Sequence, residues 1–317
     1  MASFKLNVER FAKDIMSSPP GPSEHPQAGY EIIGPLFIAF ILSTMLFGVS
    51  CAQGCLYFKQ RWQDSTQLKY IVFAILCLET TNITLVTHGI FMYIIIDHGD
   101  FTCLNGRMWS LLFQVIPANL IVTLVHYVWI IRIRTLSRSP RRANIALAMQ
   151  ASVFIEAGLS ITWLILASMS ASWGKLTSAK WTCVTAFLFR LFNDISLTAL
   201  LCYHLQRSKN GLRKTDSMIQ TMMGYGLRSG VINCFGSLTL IMLITILPTK
   251  PYYTGVHAIT ARLYANSLLA MLNRRHEKSS EATDLKGSEI VGVGAVELST
   301  VNWDVTMRSQ ITTAEFN

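Results

Sequence analysis

Seven stretches of this chain are apolar for longer than the core helices of an ordinary soluble domain, and they constrain its fold more than any other feature. They run at about 31–57, 70–96, 108–133, 145–169, 181–206, 218–247 and 252–273 of 317 residues. Each is long enough to cross roughly 30 Å of hydrocarbon at about 1.5 Å per residue. Lipid offers no partner to backbone N–H and C=O groups, so a spanning segment must satisfy them internally, as a helix does. The alternating ten-residue pattern of an outer-membrane barrel does not occur. The expected fold is therefore all-α, a seven-transmembrane-helix bundle. Composition agrees: 51% of residues are hydrophobic and 14% charged, against about 25% charged in soluble domains.

The distribution of basic residues predicts the topology. Fifteen Lys and Arg fall in alternate loops: Lys59, Arg61 and Lys69; Arg132, Arg134, Arg138, Arg141 and Arg142; Arg207, Lys209, Arg213 and Lys214; Arg274, Arg275 and Lys278. The opposite loops carry Arg107, Lys175, Lys180 and Lys250. The positive-inside rule then puts the N-terminus outside and the C-terminus in the cytosol. The net charge of +9 is read as this topology signal near anionic headgroups, and nucleic acid is not an expected partner. The first 30 residues lack an apolar signal-peptide core, so the first helix is expected to direct insertion.

Three segments follow. Residues 1–30 form a Pro-rich outer tail, with "SSPPGPSEHP" at its centre. Residues 31–275 form the membrane domain. Residues 276–317, rich in Ser, Thr and acids, are expected to be a disordered cytosolic tail. Pro117 should kink the third helix, and the Gly226–Gly230 spacing in the sixth permits close helix packing.

Polar residues recur at one depth. Glu79 and Asn82 in the second helix, Asn119 in the third and Glu156 in the fourth all fall near the predicted midplane. So do Arg190 and Asp194 in the fifth, Arg228 and Asn233 in the sixth, and Arg262 and Asn266 in the seventh. Three acids face three arginines. A lone central charge costs about 2.5–3.5 kcal/mol, so six unpaired ones would cost on the order of 15–20 kcal/mol. They must turn inward, and two arrangements meet that need. One is an interhelical ion-pair network that fixes packing. The other is a polar pocket for a ligand or an ion. Arg228 alone could instead snorkel to the cytosolic surface.

Several chemistries are excluded. Retinal photochemistry needs a Schiff-base lysine in the last helix, which has none. His88 and His257 lie towards one side and His126 towards the other, which argues against an intramembrane zinc site. No serine elbow or phosphate loop occurs. The chain is read as non-enzymatic, with no cofactor and no metal. The seven cysteines are too scattered for a disulfide scaffold. Cys103 and Cys183, both expected on the oxidising side, are the candidates for a single bridge. The receptor motifs expected of G-protein-coupled receptors are missing from the third and seventh helices, so that likeness is architectural only.

Over most of residues 30–276 the chain resembles a fungal, basidiomycete-rich family of seven-helix membrane proteins defined as a domain of unknown function. The resemblance is carried by "LFGVSCAQGCLYF" (Gly48, Gln53, Tyr57, Phe58), by Asp64 and Lys69, and by "LETTNITLVTHGIFMY" (Glu79, His88, Tyr93). Within that second block, Glu79 stands where Asp is commoner and Asn82 where His is commoner. It is strongest in "NDISLTALLCYHLQRSKNGLRKTDSMI" and in "LYANSLLAMLNRR", an LYxNSLLAxLNxR signature that holds Asn266. The resemblance implies a fold and gives weight to Asp194 and Asn266, but it implies no activity.

The leading expectation for function is a receptor-like sensor of a small ligand, with the polar belt as its pocket and the basic loops facing a cytosolic signalling partner. A small-solute or ion transporter and a structural or scaffold membrane protein are the alternatives. The expected location is the plasma membrane as a multi-pass protein, with the lipid bilayer as its surroundings.

Overall fold

Apolar side chains spaced to surround a helix leave the backbone nowhere to bond but along its own axis, and the chain obeys. The computed structural model describes residues 26–60, 65–96, 109–136, 140–169, 179–207, 213–248 and 250–284. Among the described residues there are seven long helices and no strand. Helix α1 spans Pro26–Gln60 and α2 spans Thr66–Phe91, running on into a π-helical turn at Met92–Ile96. Helix α3 is Trp109–Phe113 followed by Val115–Leu136, α4 is Pro140–Met169 and α5 is Lys180–Arg207. Helix α6 is Arg213–Ile246 and α7 is Tyr252–Asp284.

The break in α3 falls at Gln114, three residues before Pro117, where the ring removes a donor and crowds the preceding turn. The hydrogen bonds from Gln114 N to Ser110 O and from Ala118 N to Gln114 O carry the helix across it. Two boundaries differ from the sequence reading. Helix α1 already begins at Pro26, a residue suited to the first helical position. Helix α7 runs to Asp284, beyond the expected end of the membrane domain at 275. The remainder of both tails lies outside the described residues.

Six helices, α1 to α6, are long and apolar enough to cross a membrane. The seventh differs because its polar residues are hidden: most of Tyr253–Asn273 is buried against the other helices. The helices close a ring in chain order, α7 packing on both α1 and α6, while α3 also touches α5 and α7. Helix α3 is accordingly 61% buried over its apolar window, against 22% for α1. The outer surface carries Met45, Phe73, Phe154, Phe192 and Phe235 exposed, the face a bilayer would cover.

Two glycines let helices approach closely. A Cβ on Gly255 of α7 would come within 2.7 Å of Ala39 Cβ on α1, and one on Gly230 of α6 would collide with Thr198 on α5. Arg132, expected in a basic loop, is instead buried at the end of α3, its Nη1 donating to Met271 Sδ.

Two of the three apolar clusters among the described residues divide α3, α4, α5 and α7. One holds Val115, Trp163, Cys183, Phe187 and Tyr253. The other holds Val125, Trp129, Val153, Leu197 and Tyr264. Asn119, Glu156, Arg190, Asp194 and Arg262 fall between the two, while Ser50, Glu79 and Asn82 fall between the second cluster and a third that holds Leu36, Val86, Ile90 and Ala258.

Candidate functional site

The layer between the clusters is built from three linked groups. In the first, Arg262 of α7 is fully buried and its Nη2 donates to Asn82 Oδ1 on α2 at 3.0 Å. Its Nη1 lies 3.9 Å from Glu79 Oε1, which also accepts from Ser50 Oγ on α1 at 3.0 Å. The guanidinium sits over the Phe47 ring. Asn82 Nδ2 donates to the Gln114 carbonyl at 2.7 Å, and Gln114 Nε2 donates to the Thr254 carbonyl. Helices α1, α2, α3 and α7 are thereby tied at one level.

The second group centres on Arg190 of α5, 1% exposed. Its Nε donates to Glu156 Oε1 on α4 at 2.7 Å, and its Nη2 to Asn119 Oδ1 on α3 at 2.6 Å. Asn193 Nδ2 donates to Glu156 Oε2 at 3.1 Å, and the Phe187 ring packs on the guanidinium at 5.3 Å. Charge-assisted bonds of this kind are the strong ones, and together they offset much of the desolvation that a buried pair costs.

The third group centres on Asp194, one turn along α5. His126 Nε2 of α3 lies 3.1 Å from Oδ1. Oδ2 accepts from Tyr264 Oη of α7 and, at 3.4 Å, from Ser237 Oγ of α6. His126 Nδ1 faces Glu156 Oε2 at 4.0 Å, linking the second and third groups.

The remaining sequence candidates fall elsewhere. Asn266 Nδ2 donates to the Leu46 carbonyl and Asn273 Nδ2 to the Gln53 carbonyl. Both donors and both acceptors are seven residues apart, so these bonds form a ladder holding α7 on α1. Asn233 is buried beside Asp194, and its Oδ1 has no partner among the described residues. Arg228 is exposed. The buried face of α6 runs through Gly226, Gly230, Asn233, Ser237 and Leu240, a heptad-like stripe that Arg228 misses. Arg228 therefore lies outside the expected belt. The buried layer holds Glu79, Glu156 and Asp194 with Arg190 and Arg262, and with Arg132 at the end of α3 the buried charges among the described residues are three acids and three arginines.

Cys183 is a free, buried thiol in the cluster beside Phe187, while Cys103 lies outside the described residues. Among the described residues no group of three or more His, Cys, Asp or Glu could hold a metal ion. In the sequence Ser50, Gln114, Asn193 and Ser237 have no role in the belt, Tyr264 enters only as part of the LYxNSLLAxLNxR signature, and His126 enters only as an argument against a zinc site. Each is a common residue in apolar helices, and only the partner across the bundle distinguishes it.

Two small cavities flank the layer, each about 20 Å³, room for about one water. One is polar and is lined by His126, Asp194, Thr198, Ser229, Asn233 and Tyr264 among others. The other is largely apolar and is lined by Asn119, Trp163, Cys183, Phe187, Tyr253 and His257 among others.

A family model described as a family of unknown function (DUF6534) matches residues 190–277. The match takes in Arg190, Asp194, Ser237, Arg262 and Tyr264, whereas Glu79, Asn82, Asn119, His126 and Glu156 precede it. No curated protein and no solved structure matches the chain.

Proposed function

We propose that this multi-pass membrane protein is a receptor-like, non-enzymatic sensor of a small, mainly apolar molecule that enters the cavity beside Arg190. In this reading all seven helices span the plasma membrane. The N-terminus lies outside, and the basic loops meet a signalling partner in the cytosol. The likeness to the fungal seven-helix family extends over α1 to α4 as well.

The observation that carries the reading is the junction between that cavity and the charge layer. His257 Nδ1 and Trp163 Nε1, both buried at the cavity wall, have no hydrogen-bond partner among the described residues. A ligand with one polar atom would satisfy either of them. Phe187 packs on both His257 and Arg190, and Asn119 both lines the cavity and accepts from Arg190. Occupation of the cavity would therefore bias the Arg190–Glu156 contact between α4 and α5, the kind of differential contact that shifts a conformational equilibrium. At about 20 Å³ the cavity must widen to admit more than a water, so the liganded state is a second conformation.

Thiol labelling tests this. A variant that keeps Cys183 alone of the seven cysteines is treated with a membrane-impermeant methanethiosulfonate, from outside intact cells and then from inside after permeabilisation. Labelling from outside only is expected. Labelling from both sides would favour a solute path. Labelling from neither side would make the layer a sealed structural element, and labelling from inside only would invert the topology; either defeats the sensor reading.

A further inference from the structure

We propose that the polar cavity beside Asp194 is a binding site for a single alkali-metal cation, sodium in preference to potassium. It is separate from the cavity beside His257 and stands whether or not that cavity takes a ligand.

Three observations converge on it. The first is charge. Glu156 and Glu79 each face an arginine, whereas the contacts of Asp194 are to an imidazole and two hydroxyls. Among the described residues Asp194, 4% exposed, is the buried acid of this layer that makes no ion pair with a guanidinium. A buried carboxylate without a cationic partner is costly, and a single positive charge beside it would offset that cost.

The second is an oxygen without a partner. Asn233 is 6% exposed and lines the same cavity, and its Oδ1 accepts no hydrogen bond among the described residues. A buried amide oxygen left unsatisfied costs about 1–3 kcal/mol. Coordination to a cation removes that cost.

The third is the donor set. The Asp194 carboxylate, the Asn233 amide and the hydroxyls of Thr198 and Ser229 border the cavity, and oxygens of these types suit hard cations. The cavity is water-sized, which admits a dehydrated ion and excludes an organic amine. An anionic carboxylate gives a stronger field than carbonyls alone, and field strength is one determinant of alkali-ion choice; that favours sodium. Gly226 and Gly230 form the α6 wall. The close approach of α5 to α6 at Gly230 and Thr198 brings Asn233 to Asp194.

One rival could neutralise the same charge. A second proton on His126 Nδ1 would place an imidazolium between Asp194 at 3.1 Å and Glu156 at 4.0 Å. The two differ in what the protein responds to, sodium or pH.

The test is thermal unfolding of the full chain in detergent at fixed pH and ionic strength, with sodium exchanged for potassium or for N-methyl-D-glucamine. A ligand bound only by the native state raises stability with concentration. The melting temperature should rise by a few degrees, saturably, with sodium, less with potassium and not with the organic cation. The sodium effect should vanish in Asp194→Asn. Should that variant fail to fold, Asn233→Ala and Thr198→Val, which keep the carboxylate, should each raise the sodium midpoint at least threefold. Indifference to the cation, a response to pH alone, a sodium effect that survives in Asp194→Asn, or midpoints unmoved in both milder variants would overturn the site.

Discussion

Arg190 reaches across from α5 to Glu156 on α4, Nε to Oε1 at 2.7 Å, and leaves Asp194, one turn along its own helix, to His126 and Tyr264. Spacing alone suggests the opposite, because residues four apart on a helix are neighbours. A pair closed within α5 would do nothing to hold other helices. Divided as they are, Arg190 ties α5 to α3 and α4, and Asp194 ties it to α3, α6 and α7. The separation also leaves Asp194 as the acid that a cation could still engage.

Arg262 and Glu79 should respond unequally to mutation. The 3.9 Å contact between them is long, and Glu79 is also held by Ser50. Glu79→Gln keeps an oxygen to accept from Ser50, whereas Arg262→Ala leaves a buried acid unpaired and Asn82 without its donor. Arg262→Ala should lower stability by about 3–5 kcal/mol and Glu79→Gln by clearly less, measured as unfolding free energies in mixed micelles.

Gly230 and Gly224 offer a paired test of helix approach. A methyl group on Gly230 would meet the Thr198 side chain, while nothing lies within 4 Å of one on Gly224. Gly230→Ala should cost about 1–3 kcal/mol by overpacking, and Thr198→Ala should recover part of it. Gly224→Ala should be neutral or slightly stabilising, since alanine is the better helix former. Melting temperatures of the four proteins decide it.

Arg228 should behave as a surface residue. It is exposed on α6, away from the stripe of Asn233 and Ser237. Arg228→Gln should change stability by no more than about 0.5 kcal/mol, in contrast to any substitution of Arg190. A loss as large as that expected for Arg262→Ala would return it to the buried layer.

The helices were legible because length and apolarity report directly on what lipid permits. The depth of Glu79, Glu156, Arg190 and Arg262 was legible too, since a charge in an apolar run has to turn inward. Partner choice was not. Nothing in "FRLFNDIS" says that Arg190 belongs to Glu156, because that depends on how α4 and α5 rotate against each other. Arg228 was misplaced although the signal was present: Gly226, Gly230, Asn233 and Ser237 mark a stripe that excludes it. Helix α7 is legible as a helix from its length, but its polar residues keep it out of the apolar set of six. Its central packing explains the polarity, since α7 presents its Arg, His and Asn side chains to protein.

The charge layer depends most directly on the coupling between Arg190 and Glu156, and a double-mutant cycle measures it. Unfolding free energies in mixed micelles are compared for the native chain, Arg190→Met, Glu156→Gln and the double variant. Each single change strands a buried partner and should cost about 3–5 kcal/mol, while the double change should cost less than their sum by about 2–3 kcal/mol. Additive losses would mean that the two side chains do not meet in the bundle, and the charge layer as described would be wrong.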